Sequence, residues 1–135
     1  SHPKGDPTMT TQEFIARREA EVTAPMLAYY RSWSAEGEGG YTEKHIRKCA
    51  DLLDAYAKTL ASLGTPVGPK RDKQIMTVVK HLVLDLNKLN AKTDYEMLET
   101  DERDNICVLV TEAAVQAGLT ETPEDGDVTG EWREF

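Results

Sequence analysis

The sequence predicts an all-α fold, namely an antiparallel bundle of four main helices with an acidic C-terminal tail docked on it. Two observations predict it: apolar residues recur at helical spacing in four separate stretches, and the connections between those stretches are short. At 135 residues the chain also suits a single domain with its own core.

The chain divides into three parts. Residues 1–8 hold two prolines and a glycine without apolar periodicity and precede Met9, so we expect a tag remnant or a disordered N-terminus there. Residues 9–119 contain the four helical stretches and form the bundle domain. Residues 120–135 lack helical periodicity, are strongly acidic and form the tail, whose aromatic residues we expect to anchor it to the bundle.

The first helix is predicted to start at the cap Thr10 and to continue through Pro25 as one kinked helix. Thr10 and Glu13 have the spacing of a capping box, in which two side chains satisfy each other's backbone N–H groups. Pro25 removes one backbone hydrogen bond, but the apolar spacing continues across it. The glycine-rich residues 37–40 are predicted to end the helix. Its inward positions are predicted to be Ile15, Val22, Met26, Tyr29, Tyr30 and Trp33.

The second helix has the most regular pattern. Thr42 is its predicted N-cap and Gly64 its predicted left-handed terminus. Its apolar residues alternate steps of three and four, which is the spacing expected of a helix that packs nearly parallel to its neighbour. These residues are Ile46, Cys49, Leu53, Tyr56, Leu60 and Leu63.

The third helix is predicted to run from about residue 70 to Asn90, at the centre of the bundle, because its apolar stripe is wider than one neighbour could cover. The fourth helix is predicted to start at the cap Thr100, with acidic residues in its first turn, and to end at Gly118. We expect the inward positions of these helices to form one contiguous core. Eight of its members are Leu53, Tyr56, Leu60, Val79, Leu82, Leu86, Ile106 and Leu109.

The net charge of −8 is unevenly distributed along the chain. Residues 43–92 carry ten basic against five acidic side chains, whereas residues 121–135 carry one basic against six acidic side chains. An acidic chain without a dense basic stripe is a poor nucleic-acid binder, because that binding depends on neutralising phosphates. We therefore predict no nucleic-acid partner, and we expect the acids of the tail to lie near the basic middle segment.

The sequence gives no indication of a membrane partner or of secretion. Its longest apolar run falls short of the roughly 20 residues that span a bilayer, and no leader of the secretory type is found. Cys49 and Cys107 fall within helical repeats, where free cysteine behaves as a small hydrophobe, so we expect both to be reduced. These features predict a cytoplasmic protein.

Metal binding and catalysis each have one weak set of candidates. Two histidines and two cysteines could form a tetrahedral zinc site, but their spacing is unlike the short paired loops of a structural zinc module. His81 and Asp85 have the spacing of a general base and its orienting carboxylate, yet no nucleophile accompanies them. We predict no metal, no cofactor and no enzymatic activity. The weak metal candidates are His45, Cys49, His81 and Cys107.

Two segments of the C-terminal half resemble a known family. Residues 99–119, which read ETDERDNICVLVTEAAVQAGL, and the terminal DVTGEWREF are similar to the C-terminal half of a family of small bacterial all-helical proteins of unknown function. The resemblance implies a bacterial cytosolic protein in which bundle and tail form one unit. It implies no catalytic residue.

We predict a non-enzymatic domain that binds another protein. An immunity or antitoxin-like role is its specific form, because such a role needs only a complementary charged face. Two alternatives stay open: a small-molecule or metal-binding helical bundle that uses the histidines and cysteines, and an obligate homodimer with a structural role. The candidate residues for partner binding are Tyr29, Tyr30, Trp33, Tyr41, Glu99, Asp101, Glu102, Trp132 and Phe135.

Overall fold

Helices dominate the computed structural model, which describes residues 9–34 and 41–135 without the side chains of Trp33 and Ser34. No strand occurs in this part of the chain, so the predicted all-α fold is confirmed. The predictions made for residues 1–8 and 37–40 lie outside the described residues. The helical elements are α1 (Thr11–Arg18), a π-helical segment (Glu19–Thr23), α2 (Ala24–Ser34), α3 (Glu43–Ala61), α4 (Pro69–Lys92) and α5 (Thr100–Gln116).

The first helical stretch runs from α1 through the π-helical segment into α2. The predicted capping box is present, since Thr10 Oγ1 accepts a hydrogen bond from the Glu13 N–H at 3.0 Å and Glu13 Oε1 accepts one from the Thr10 N–H at 2.9 Å. At the end of the π-helical segment, the Ala24 N–H donates to the Glu19 carbonyl, one residue farther back than in an α-helix. This wider turn comes directly before Pro25, whose ring and missing N–H disrupt the regular α-helical pattern. The irregularity expected at Pro25 therefore takes the form of a π-helical segment.

The π-helical segment changes which side chains of the first stretch face the core. Phe14 is buried and its ring centroid lies 6.1 Å from that of Tyr56, whereas Ile15, predicted to face inward, is only half-buried. Val22 and Met26 are buried as predicted. The prediction assumed regular α-helical spacing through the whole stretch. Because a π-helical turn contains one extra residue, the residues on its two sides that face the core are one position out of step with that spacing.

The main core lies among α3, α4 and α5, and α1 covers it. α3 packs against both α1 and α4, and α5 also contacts both. All eight residues predicted to form one contiguous cluster are buried members of this core, so that prediction is confirmed. Met97 and Leu98, in the connection between α4 and α5, join the core although they belong to no apolar repeat. Within residues 9–34 and 41–135, none of the helices has the length and apolar character needed to cross a bilayer.

The end of α3 differs from the predicted one. The helix ends at Ala61, and Gly64 does not have the positive φ expected of a left-handed terminus. The last turn tightens instead, since the Ser62 N–H donates to the Thr59 carbonyl at 3.1 Å and the Leu63 N–H donates to the Leu60 carbonyl at 3.3 Å. Because these hydrogen bonds pair carbonyls at the helix end, no left-handed glycine is needed there. Arg71 of α4 holds the residues that follow, because its Nη1 donates to the Leu63 carbonyl at 3.1 Å and to the Thr65 carbonyl at 2.6 Å.

The ends of α5 follow the prediction more closely. Thr100 is the first helical residue rather than the cap, and Glu99 takes the N-cap position. Gly118, with a φ of 111°, follows the C-cap residue Ala117 and ends the helix as predicted. Helix boundaries therefore agree to within one residue here.

Two buried asparagines of α4 hold segments that are not helical. Asn87 Nδ2 donates to the Trp132 carbonyl at 2.9 Å, and the Glu134 N–H donates to Asn87 Oδ1 at 2.9 Å. Asn90 Oδ1 accepts a hydrogen bond from the Leu98 N–H at 2.9 Å. Asn90, predicted to end the third helix, is instead a buried member of α4, which continues past it.

The tail contacts the bundle through apolar side chains as well as through Asn87. Val128 is buried, and Trp132 and Phe135 are half-buried against the core. The Arg133 guanidinium lies 5.8 Å from the centre of the Phe135 ring and donates to the Phe135 carbonyl at 2.7 Å. The last residues of the chain thus pack as a defined turn on the bundle.

Tyr56 provides a test of this packing. Its hydroxyl is buried and donates to the Val110 carbonyl at 2.8 Å, which links α3 to α5. We expect Tyr56→Phe to lower the free energy of unfolding by about 0.5–1.5 kcal/mol, the usual contribution of one such hydrogen bond. Urea denaturation with an unchanged m-value measures it, and Tyr95→Phe, at an exposed tyrosine, is the control that should have no effect. Equal stability of the wild type and Tyr56→Phe would contradict the prediction.

Asp127 organises the turn through which the tail meets the bundle. Its carboxylate accepts hydrogen bonds from the Thr129 N–H at 2.9 Å and the Thr129 hydroxyl at 2.6 Å, and it pairs with Arg133 at 3.2 Å. Burial by itself raises the pKa of Asp127, but these hydrogen bonds and the charge of Arg133 outweigh burial and hold the pKa below its ordinary value. A lowered folded-state pKa stabilises the fold above the unfolded-state pKa of about 3.9, and this contribution is lost as the pH falls through the folded-state pKa.

We therefore expect Asp127→Asn to lower the melting temperature at neutral pH, and the difference from the wild type to be smaller at about pH 3, below the unfolded-state pKa. Melting curves of both proteins at the two pH values test it. Glu124→Gln, at an exposed position of the tail, is the matched control and should change neither curve. A melting difference that is the same at both pH values would show that the charge of Asp127 is not the cause.

Candidate functional site

A cleft lies between the first helical stretch and the start of α5. Its volume is about 620 Å³, and all three predicted acidic contact residues line it together with an aromatic one. Tyr29 comes from α2, while the acids come from the first turns of α5 and the residue before it. The cleft is lined by Val22, Pro25, Tyr29, Glu99, Thr100, Asp101, Glu102, Asp104 and Asn105.

Local structure explains why acids occur at this end of α5. The first backbone N–H groups of a helix lack intrahelical partners and carry partial positive charge, so carboxylates there are favourable by about 0.3–1 kcal/mol each when exposed. Glu99 and Asp101 are nevertheless exposed, and Glu102 is half-buried. Their oxygens therefore remain accessible to a partner while they stabilise the helix end.

The cleft has a strongly negative charge. Four of the nine lining residues are carboxylates and none is basic. Arg103, which lies between them in sequence, pairs with Asp104 at 3.6 Å, so it offsets one carboxylate of the four. Burial, together with the nearby charge of Glu102, raises the pKa of Tyr41 to about 12, so that phenol stays neutral at physiological pH.

The predicted aromatic contact set is divided by the fold. Tyr29 is 45% exposed and lines the cleft, but Tyr41 is only 3% exposed and belongs to the core, so it is not part of a contact surface. Tyr41 packs with the half-buried Tyr30, their ring centroids 6.4 Å apart. The side chain of Trp33 lies outside the described residues. Trp132 and Phe135 are half-buried against the core, and neither lines the acidic cleft.

The four weak metal candidates have other contacts. No three His, Cys, Asp or Glu side chains in the described part of the chain are grouped so that they could hold a metal ion. His45 Nδ1 accepts a hydrogen bond from the Thr42 N–H at 3.0 Å, which completes the cap of α3. His81 and Asp85 both line a small cleft of about 170 Å³.

Cys49 and Cys107 are free thiols, as predicted. Cys49 is fully buried, and burial raises its pKa to about 12 although the charge of Arg18 acts in the opposite direction. Cys107 is half-buried with its Sγ 3.3 Å from Thr129 Oγ1, and burial raises its pKa in spite of that contact. Both thiols are therefore protonated at neutral pH.

Because only the thiolate attacks, we expect neither cysteine to react promptly in the native protein. Cys107 should label slowly, and Cys49 should label only when the chain unfolds. Thiol titration without denaturant measures this, and the same titration in urea is the control that should count two thiols. Rapid labelling of Cys49 in the native protein would show that its thiol is accessible to solvent.

A mostly buried ion pair joins α1 to α3 and is not indicated by the sequence pattern. Arg18 Nε and Nη2 donate to the two carboxylate oxygens of Asp54 at 2.9 and 2.7 Å, and the two side chains are 13% and 17% exposed. Arg18 Nη1 donates to the Thr23 hydroxyl at 2.9 Å, within the π-helical segment. Hydrogen bonding to Asp54 raises the pKa of Arg18, so the pair is fully charged. In the sequence, the only sign of this ion pair is that Arg18 and Asp54 have opposite charges and lie next to the apolar stripes of different helices.

No protein-family profile, no curated protein and no solved structure matches this chain. The resemblance of residues 99–119 and of the terminal segment to a bacterial family therefore stays a prediction. The side chains described above are the basis for assigning a function.

Proposed function

We propose that this chain is a non-enzymatic helical domain that binds a basic protein through the acidic cleft. The observation that carries the proposal is the meeting of Tyr29 with four carboxylates in one cleft without a basic lining residue. Tyr29 and the first of these acids, Glu99, are far apart in sequence, so the fold creates this surface.

Charge complementarity supports a partner that presents lysine or arginine side chains. Opposite charges steer two proteins together and exclude wrong partners, and the net charge of −8 extends this attraction beyond the cleft itself. Tyrosine is favoured at the energetic centres of interfaces, and its ring face also attracts an arginine or lysine cation. A basic toxin bound by an immunity or antitoxin protein is one partner with this chemistry.

Selection of short random peptides on the immobilised protein tests this proposal. We expect the enriched peptides to contain several lysines or arginines. A charge-neutralised variant should bind a selected peptide at least about tenfold more weakly, and the wild-type affinity should fall as salt is added. Peptides without basic enrichment would contradict the proposal. The neutralised variant combines Glu99→Gln, Asp101→Asn and Glu102→Gln.

A second triple variant separates the cleft from the overall charge. It removes the same number of acids from exposed tail positions, so its net charge equals that of the first variant. Its affinity for the selected peptides should stay within about twofold of the wild-type affinity, because the three charges that it removes lie outside the acidic cleft. Equal losses in both variants would mean that net charge, not the cleft, attracts the peptides. The control combines Glu121→Gln, Glu124→Gln and Glu131→Gln.

A further inference from the structure

We propose that a second cleft, where α1, α3 and the end of α5 meet, binds a small amphipathic anion, namely a carboxylate with an unbranched apolar chain. This cleft has a volume of about 760 Å³ and shares no lining residue with the acidic cleft. The proposal is therefore independent of the proposed protein-binding function. The apolar lining residues are Met9, Phe14, Ala57, Leu60, Ala61, Val67, Ala113, Val115 and Ala117.

The walls of this cleft suit an apolar chain. Its volume is in the range of about 300–1,000 Å³ that is typical of small-molecule sites. Alanines of α3 and of the α5 end face it, and small side chains leave the room that larger ones would fill. Val67 is 65% exposed and Val115 is 43% exposed at its edge, so apolar surface remains in contact with water. Covering that surface with a hydrocarbon chain is favourable.

Arg71 gives the cleft a positive charge. It is the only charged residue among the lining residues of this cleft, in a chain whose net charge is −8. Its guanidinium is fixed by three backbone carbonyls: Nε donates to Ala117 at 2.7 Å, and Nη1 donates to Leu63 and Thr65. These acceptors are uncharged, and no carboxylate of the described residues lies within ion-pair distance of Arg71.

The remaining donors of Arg71 determine the chemistry of the ligand. A guanidinium has five N–H donors, and the three hydrogen bonds of Arg71 use one on Nε and two on Nη1. Two donors on Nη2 have no acceptor among the described residues. A carboxylate carries the charge opposite to that of the guanidinium, and its oxygens accept hydrogen bonds from these Nη2 donors. Each such bond is a single one, because the paired N–H groups that grip both oxygens at once would need Nε or Nη1, which are already occupied. An uncharged or cationic head group would leave the charge of Arg71 uncompensated.

The guanidinium of Arg71, a residue of α4, lies close to the end of α5. Gly118 has a φ of 111°, and a Cβ added there would lie 3.0 Å from Val67 Cγ2 and 3.3 Å from Arg71 Nε. Glycine therefore allows the α5 end to approach the guanidinium closely. The head-group donors and the apolar walls are thus held in a fixed relation before any ligand arrives, which reduces the ordering cost of binding.

Titration of the full ¹⁵N-labelled chain with three probes of one chain length tests the proposal. The probes are decanoate, decanol and decyltrimethylammonium, each below its micelle concentration. We expect decanoate to shift the backbone amides of Ala61, Ala117 and Gly118 and to bind at least about tenfold more tightly than decanol. The cation should bind more weakly than the alcohol. Equal affinities for decanoate and decanol would overturn the assignment of Arg71, and shifts confined to other regions would overturn the site.

Two variants separate the walls of the cleft from its charge. Ala61→Phe fills the cleft at an exposed helical position and should reduce decanoate binding at least about tenfold, whereas Ala91→Phe, at an exposed position outside the cleft, should not. Arg71→Gln should bring decanoate affinity down to that of decanol. Arg71→Gln also loses the hydrogen bonds to three backbone carbonyls. If this variant does not fold, the Ala61→Phe variant and the comparison of the three head groups still test the proposal. Unchanged decanoate binding by Ala61→Phe would overturn the proposal.

A second copy of the chain is the competing occupant. Its binding would shift the same amides as the protein concentration rises, with no probe present. We expect the spectrum without probe to be independent of concentration. Concentration-dependent shifts at Ala61 and Ala117 would show that the cleft is a dimer contact and would overturn the ligand assignment.

Discussion

Asp54→Ala is expected to lower the free energy of unfolding by roughly 3 kcal/mol, the lower end of the range for breaking a buried ion pair. Removing the carboxylate leaves the Arg18 guanidinium, with a side chain only 13% exposed, without its two charge-assisted hydrogen bonds. Desolvation of an unpaired charge dominates this cost. Urea denaturation monitored by circular dichroism measures the loss.

Two further variants define the cause. Asp51→Ala removes a carboxylate from an exposed position of the same helix and should leave stability unchanged or slightly raised, because alanine has the higher helix propensity. Replacing the pair together, by Arg18→Met with Asp54→Leu, should restore most of the stability, because no buried charge then remains. A loss under about 1 kcal/mol for Asp54→Ala would mean that solvent reaches the pair and screens it.

The ion pair also connects local structure to the acidic cleft. The Thr23 hydroxyl accepts a hydrogen bond from Arg18 and also lies 3.4 Å from the Arg18 carbonyl, so these two residues bracket the π-helical segment. Asp54 then fixes that segment to α3. Val22 and Pro25, at the end of this segment and just beyond it, line the acidic cleft, with Tyr29 one turn farther along. Loss of the pair should therefore disturb the cleft as well as the fold.

Regular repeats are what made the fold predictable from the sequence. In α3 and α4 the apolar steps of three and four persist through the whole helix, and this is why Leu53 and Leu82 were placed correctly in the core. The first stretch was less predictable, because a π-helical turn changes the spacing and moves Phe14, not Ile15, to the inside. Met97 and Leu98 were missed since a buried loop has no repeat to indicate it.

Interactions between distant residues were the part that the sequence could not predict. Arg71 of α4 binds the carbonyls of Leu63 and Thr65 just beyond the end of α3, and no local pattern indicates these contacts. The acids of α5 were identified as contact residues, but nothing in the sequence showed that Tyr29 would line the same cleft. Such pairings depend on the three-dimensional arrangement of elements, which a local pattern does not contain.

The tail acids Glu121 and Glu131 lie near basic residues of the middle segment, as predicted, but form no ion pair with them. Glu121 and Glu131 line the same cleft as Lys73 and Lys80, yet no ion pair among the described residues joins the tail acids to the basic middle segment. The tail's ion pair is internal and joins Asp127 to Arg133. An exposed ion pair contributes only about 0–1 kcal/mol to stability, which does not offset the entropy lost when two long, flexible side chains are ordered across a cleft.

Deleting residues 127–135 is expected to lower the melting temperature by about 5–10 °C, since a domain of this size loses about 3–5 °C for each kcal/mol. The deletion exposes the surface that Val128 and Trp132 cover. It also removes the two hydrogen bonds that Asn87 makes to the tail backbone, each of which contributes about 0.5–1.5 kcal/mol. Differential scanning calorimetry measures the shift.

Trp132→Ala should reproduce most of this loss, because apolar contact and not charge holds the tail. Glu131→Gln combined with Glu134→Gln is the matched control: both side chains are exposed, so the melting temperature should barely change. If the control melted as low as Trp132→Ala, electrostatic attraction would be the main contribution. If the truncated chain melted like the wild type, the contacts of Val128 and Asn87 would contribute nothing to stability, and the aromatic residues of the tail would be free to bind a partner.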